Sequence, residues 1–202
     1  GPEYIASLPD QALDELGNLL VSMENRAIIP LRFMQNVVAL LGKPTGVGER
    51  PIALLTFVYR LWIRVRKPLV ASWDEDTHKF WDTAVKGSSP LKATLLRVIL
   101  DEISVQGDGE TKGHAAYVLW DMAKFYDTVR WSHLAASALR LGYPSKVLAI
   151  GPMVHSSPRM VRVRGGVSTP RTATAGILAG DSQANAFAKS VLYLSLIHIS
   201  EP

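Results

Sequence analysis

The stretch YVLWDMAKFYDTVR (residues 117–130) places a carboxylate directly after a strongly apolar run. The run AYVLW is typical of an interior strand, so we expect Asp121 at the point where the chain leaves the core and enters a cleft. A carboxylate there suits Mg²⁺, which proteins hold with one or two carboxylates and the phosphates of a substrate. The structural alternative is that Asp121 caps the turn that follows it.

The residues that follow Asp121 resemble a known motif. The segment DMAKFYDTV is similar to motif A of reverse transcriptases, in which an aspartate is followed by an aromatic residue and then by DTV. The resemblance implies that Asp121 binds the catalytic metals, assisted by the backbone carbonyl of Met122. It also implies that Tyr126 lies under the sugar of the incoming nucleotide and excludes a 2′-hydroxyl, and that Asp127 is structural.

An upstream segment resembles a second block of the same family. VVALLGKPTGVGERPIALLTFVYRLW (37–62) is similar to the fingers hairpin, with a strand, a lysine, a glycine-rich turn, the sequence RPI and a helix carrying a tyrosine. A triphosphate needs cations brought over it, and a hairpin can deliver Arg50 and Lys43 to the same place. The alternative for RPI alone is a solvated arginine that precedes a proline.

A downstream segment resembles motif B. GILAGDSQANAFAKSVL (176–192) has a glycine turn followed by a helix, which in the family lies against template and nucleotide. Gly180 matches the family's glycine, where the missing Cβ permits close approach. Ala179 departs from the pattern, because the family has glutamine there, and the departure bears on the contact with the template. The structural alternative is an ordinary helix start preceded by a glycine turn.

In order along residues 33–194, the three blocks resemble the reverse transcriptase domain of non-LTR retroelements. The resemblance implies an α+β fold comprising the fingers and an incomplete palm of a right-hand polymerase, and the irregular mixture of helices and strands also favours α+β. The implied activity is RNA-directed DNA polymerisation by two-metal phosphoryl transfer, which extends a primer on an RNA or DNA template. The implied partners are template, primer and deoxynucleoside triphosphates, with Mg²⁺ or alternatively Mn²⁺. We expect an intracellular protein without a membrane partner, in the nucleus if it derives from a retroelement.

The remaining carboxylates of a two-metal site are missing from the sequence. The family supplies them from motif C, a hairpin with paired aspartates after motif B, whereas here Glu201 is the only acidic residue after Asp181. Glu201 lies in SLIHISEP (195–202), which resembles a translated sequencing-adapter string and is set aside as a sequence scar. We therefore expect a fragment that is inactive as this chain. The alternatives are a catalytically dead nucleic-acid-binding relic and an unrelated α+β interaction domain.

Composition limits the class of protein. The 202 residues are 48% apolar and 20% charged, which is typical of a globular domain, and the net charge of +4 favours polyanions weakly. Without cysteine there are no disulfides or thiolate metal sites, and no apolar run reaches the length of a membrane span. A basic patch could follow a phosphate backbone, the alternative being a solvated strand face; its members are Arg159, Arg162, Arg164 and Arg171.

Hydrophobic periodicity predicts the elements that position these residues. We expect a hairpin over 33–55, a buried strand over 115–120 and a strand formed by RMVRV, 159–163. The predicted helices cover 9–24, 56–67 (ending at Pro68), 73–84, 91–105, 131–141, 145–156 and the residues after the Gly180 turn. The predicted organisation is an N-terminal helical segment (1–32), a fingers-like subdomain (33–113) and a partial palm (114–194).

Overall fold

The computed structural model shows a mixed α+β fold, as the sequence predicts. The structure describes residues 2–79, 82–85, 87–106, 122, 124–163 and 165–200. The chain divides into two compact units, one formed by residues 1–73 and 124–202 and the other by residues 74–123. The hairpin predicted for the fingers therefore belongs to the same unit as the residues predicted for motif B.

The sheet of the first unit has four strands in the order β2-β1-β3-β4. Strands β1 (Asn36–Gly42) and β2 (Glu49–Leu54) form an antiparallel hairpin, which confirms the predicted hairpin. Strand β3 (Arg159–Val163) runs parallel to β1, and the short β4 (Gly166–Val167) returns antiparallel to β3. One sheet thus joins the hairpin to a strand more than a hundred residues later in the chain.

The described residues contain eight helices: α1 (Pro2–Ala6), α2 (Asp10–Arg26), α3 (Phe57–Thr77), α4 (Pro90–Gln106), α5 (Phe125–Thr128), α6 (Trp131–Arg140), α7 (Ser145–His155) and α8 (Ala184–Ser200). A 3₁₀ turn, Leu31–Phe33, precedes β1. The helices predicted near α2, α4, α6, α7 and α8 are confirmed. The strand predicted over 115–120 lies outside the described residues.

The predicted helix break at Pro68 is wrong, because α3 continues through this proline to Thr77. Pro68 is exposed, so the carbonyl of Arg64 that loses its helical partner can turn towards water. Beyond the proline, Trp73 is 5% exposed, donates from Nε1 to the carbonyl oxygen of Leu141 at 2.8 Å, and packs edge-on against Tyr143. This burial stabilises the second half of α3, which includes residues 73–77. The separate helix predicted over 73–84 is not present in the described residues 78–79 and 82–85.

The core of the first unit lies between α3, α6, α7 and α8. Its fully buried side chains include Trp62, Leu134, Ile150 and Phe187. Burying such side chains contributes about 1.5–3 kcal/mol each relative to exposure. The packing fixes α3 and α7 against α8, and these helices carry the side chains that reach the turn around Gly180.

Helix α4, in the second unit, differs from these core helices. Leu95, Ile99 and Ile103 lie four residues apart and so share one face of the helix, yet they are 57%, 44% and 64% exposed. None of the helices in the described part of the chain is long and apolar enough to cross a membrane.

Candidate functional site

The turn that carries Gly180 lies against the outer edge of β2. The amide nitrogen of Ala53 donates to the carbonyl oxygen of Ala179 at 2.7 Å, on the edge of β2 that does not pair with β1. Gly180 has φ +104°, and a Cβ there would stand 2.8 Å from the carbonyl oxygen of Ala53 and 3.0 Å from Cγ2 of Ile52. Both the backbone conformation and the lack of space therefore require glycine at this position.

The hairpin presents its cations near this turn. Arg50 pairs with Leu41, and since side chains alternate along a strand, Arg50 and Ile52 lie on the same face of β2. Arg50 and Lys43 are both exposed. The Lys43 side chain folds over the hairpin turn, with Nζ 3.7 Å from where a Cβ of Gly48 would lie. Arg50 thus shares its face of the sheet with the residue against which Gly180 packs.

Tyr126 joins the start of the Gly180 turn to α8. Its backbone carbonyl accepts a hydrogen bond from the amide of Ile177 at 2.6 Å, and its hydroxyl donates to Oδ1 of Asn185 at 2.8 Å. The amide of Gly176 donates to the carbonyl of Val129 at 2.9 Å, which adds a second backbone link. Burial raises the pKa of the Tyr126 hydroxyl. The segments predicted as motif A and motif B are therefore in direct contact.

The predicted metal site falls largely outside the described residues, because Asp121 is not among them. Arg164, a member of the predicted basic patch, is not described either. Of the two predicted metal-binding residues only Met122 is described, and it is 46% exposed. Lys124, shortly before Tyr126, adopts the left-handed conformation with φ 53°. Within the described ranges, no three histidine, aspartate or glutamate side chains converge on a point that could hold an ion.

The structure divides the predicted basic patch between the two faces of the sheet. Arg162 pairs with Ala39, which lies on the same face of β1 as Leu41. Because Leu41 pairs with Arg50, Arg162 and Arg50 lie on the same face of the sheet. Arg159 lies on the opposite face, where its backbone is hydrogen-bonded to that of Arg171 in both directions. Burial lowers the pKa of the Arg159 guanidinium, and the nearby carboxylate of Asp127 acts in the opposite direction.

A buried polar network holds the turn from behind, and the sequence did not predict it. Oδ2 of Asp181 accepts hydrogen bonds from the hydroxyl of Tyr59 at 2.9 Å and from Nε2 of His155 at 2.6 Å. Nδ1 of His155 accepts a bond from the amide of Leu178 at 3.0 Å, which assigns the ring hydrogen to Nε2. Asp181 thus connects the turn to α3 and α7.

A neighbouring pair extends the network, since the hydroxyl of Tyr143 donates to Oε1 of Gln183. Burial, with a contribution from the charge of Asp181, raises the pKa values of Tyr59 and Tyr143. Sequence spacing could not reveal these contacts, because Tyr59 and Asp181 are 122 residues apart. The one signal in the sequence that could have indicated this network was the carboxylate that directly follows the glycine of the turn.

Together these contacts join three parts of the chain. They are the hairpin with its exposed arginine, the glycine turn, and the segment that carries the hydrogen-bonded tyrosine. Cations on an exposed strand face can bind phosphate oxygens, and the glycine lets the turn pack closely against the strand that carries Arg50. No protein-family model matches the chain, and a search of curated proteins found no significant match.

Proposed function

We propose that this chain comprises the fingers and part of the palm of a reverse transcriptase-like polymerase. The observation that supports this proposal most strongly is the contact between the three sequence blocks. The hairpin contacts the Gly180 turn through Ala53 and Ala179, and the turn contacts Tyr126 through Ile177. The proposal requires the three blocks to pack on one another, and these two hydrogen bonds join them in that way.

In this proposal each residue has a defined task. Arg50, together with Lys43 at the hairpin turn, binds the triphosphate of a deoxynucleotide, because a guanidinium can bind two phosphate oxygens at once. Tyr126 lies beside the sugar, and its hydrogen bond to Asn185 holds the ring in place. Asp121 and the carbonyl of Met122 would hold Mg²⁺, whose positive charge would offset the negative charge of the phosphates. Gly180 lets its turn pack directly against β2, and in this proposal the turn lies beside the template.

The second candidate is a nucleic-acid-binding relic without catalysis. It is favoured by the exposed Arg50 and Arg162, which lie on one face of the sheet and can bind phosphates without a metal. In this candidate the hairpin face and the arginines bind phosphates, and Asp121 has no chemical role.

Titration with a fluorescent deoxynucleoside triphosphate in the presence of Mg²⁺ tests the proposal. We expect Arg50→Gln and Asp121→Asn to weaken binding, and Tyr126→Ala to reduce the preference for a deoxyribonucleotide over a ribonucleotide. Arg140→Gln, an exposed change on α6, is the matched control for lost charge. Binding that Arg50→Gln and Asp121→Asn leave at the level of the control would contradict the proposal.

A further inference from the structure

A shallow groove crosses the face of the sheet opposite Arg50. It has a volume of about 280 Å³. Its floor is apolar and comes from three adjacent strands, with Val38 on β1, Pro51 on β2 and Val161 on β3. Ser168 and the segment that follows it, including Arg171, form one wall. The volume is below the ~300–1,000 Å³ typical of pockets that enclose a small molecule.

Two arginines line one part of this groove. Arg159 and Arg171 occupy directly opposed positions, with backbone hydrogen bonds of 2.8 and 2.9 Å joining them in both directions. Opposed residues of an antiparallel pair have Cβ atoms about 4.5–5.5 Å apart, and like charges at such positions destabilise a sheet. An anion between the two guanidinium groups would offset this repulsion.

Arg159 also retains unused hydrogen-bonding capacity. Its Nη2 donates to the carbonyl oxygen of His155 at 2.9 Å, whereas its buried Nε has no partner among the residues that the structure describes. The Asp127 carboxylate is close enough to influence the pKa of the Arg159 guanidinium, but the two side chains do not form an ion pair. The positive charge at this end of the groove is therefore only partly compensated within the described residues.

We propose that the groove binds one nucleotide of a single-stranded nucleic acid, with its phosphate between Arg159 and Arg171 and its base over Pro51 and Val161. This inference rests on the proposed function and adds a second site, on the reverse face of the hairpin. An unpaired base exposes a flat apolar face that an apolar floor can cover, whereas duplex stacking hides it. The open form of the groove suits one unit of a strand passing through it.

Fluorescence anisotropy with a labelled oligothymidylate tests the groove, using Arg171→Gln and the control Arg140→Gln. Each phosphate contact to a single strand adds about −0.7 to the slope of log K against log salt. Losing one contact should therefore weaken binding about eightfold at 50 mM salt and reduce the slope by about 0.7. The Val38 and Val161 methyl NMR signals should shift on titration, and binding of the same sequence as a duplex should be unaffected by Arg171→Gln.

Three results would overturn this assignment. They are an effect of Arg171→Gln no larger than that of Arg140→Gln, an equal loss for single strand and duplex, and equal methyl shifts with inorganic phosphate alone. None of them involves Arg50, so they leave the proposed nucleotide site untouched. Conversely, a failure of Arg50→Gln to affect triphosphate binding, with the Arg171 effect intact, would reject the proposed function and retain the groove.

Discussion

The amide nitrogen of Ala53 donates a hydrogen bond of 2.7 Å to the carbonyl oxygen of Ala179, so the free edge of β2 holds the turn that carries Gly180. This bond brings together two segments that the sequence separates by more than a hundred residues. It also sets how closely Gly180 approaches the hairpin, where a Cβ would stand 2.8 Å from the carbonyl oxygen of Ala53.

Replacing Gly180 should therefore cost more than replacing a glycine with similar φ in open space. Gly180→Ala combines left-handed strain with a backbone clash, and we expect a loss of about 2–4 kcal/mol in the free energy of unfolding. Gly46 has φ +72° with no atom within 4 Å of the Cβ position, so Gly46→Ala should cost only about 1 kcal/mol. Urea unfolding of both variants measures the difference, and equal losses would show that the close approach is absent.

The buried carboxylate of Asp181 should contribute strongly to stability. Asp181→Ala leaves the Tyr59 hydroxyl and Nε2 of His155 without their acceptor, and each unpaired buried donor costs about 1–3 kcal/mol. We expect a total loss of about 3 kcal/mol or more. Tyr59→Phe removes a single hydrogen bond and should cost about 1 kcal/mol. If the two variants unfold at the same urea concentration, Asp181 does not act as the common acceptor.

The network also predicts weakening at alkaline pH. Burial raises the folded-state pKa of Tyr143 and Tyr59 above the ordinary value of 10.0. The stability linked to the neutral tyrosines is fully present below pH 10 and is lost as pH rises above it, since only the unfolded chain then ionises. Each tyrosine should lower the free energy of unfolding by about 1.4 kcal/mol per pH unit in that range.

Phenylalanine variants isolate this contribution. Tyr143→Phe should make the decline above pH 10 shallower by about 1.4 kcal/mol per pH unit. Tyr4→Phe, at a position 71% exposed, is the control and should keep the original slope. Urea unfolding across a pH series gives both slopes, and parallel declines for the two variants would argue against a buried, neutral Tyr143.

Local patterns in the sequence were sufficient to predict the hairpin and most helices. Glycine and proline between two valine- and leucine-rich runs define the turn around Lys43, and Gly142 marks the end of α6. The continuation of α3 through Pro68 could not be predicted in this way, because it depends on the distant contact between Trp73 and Leu141. Tertiary packing there outweighs a local helix-breaking signal.

The candidate site was predictable in part. The family resemblance assigned Gly180 and Tyr126 to one nucleotide site, but it did not show that Asp181 and His155 support the glycine turn from inside the core. It also grouped Arg159 and Arg162 as one patch. The two arginines are an odd number of residues apart on β3, so strand alternation places them on opposite faces of the sheet. This separation matters only because both faces of the sheet are accessible, which the sequence does not show.

The purified 202-residue chain should show no polymerase activity. Two-metal phosphoryl transfer needs several carboxylates, and Asp121 has no paired aspartates after motif B to complete the site. Primer-extension assays with Mg²⁺ or Mn²⁺, run beside a complete polymerase as positive control, should give no product above background. Template-dependent incorporation that Asp121→Ala abolishes would contradict this prediction.

The most direct test of the central claim is paramagnetic line broadening by Mn²⁺ in the presence of a deoxynucleoside triphosphate. If Asp121, Tyr126, Gly180 and Arg50 surround one nucleotide, the amide NMR signals of Met122, Tyr126 and Gly180 should broaden first, followed by that of Arg50. Asp121→Asn should abolish this broadening, and the exposed-face change Arg140→Gln should leave it unchanged. Broadening that is centred elsewhere, or that survives Asp121→Asn, would show that these segments do not form a polymerase-like nucleotide site.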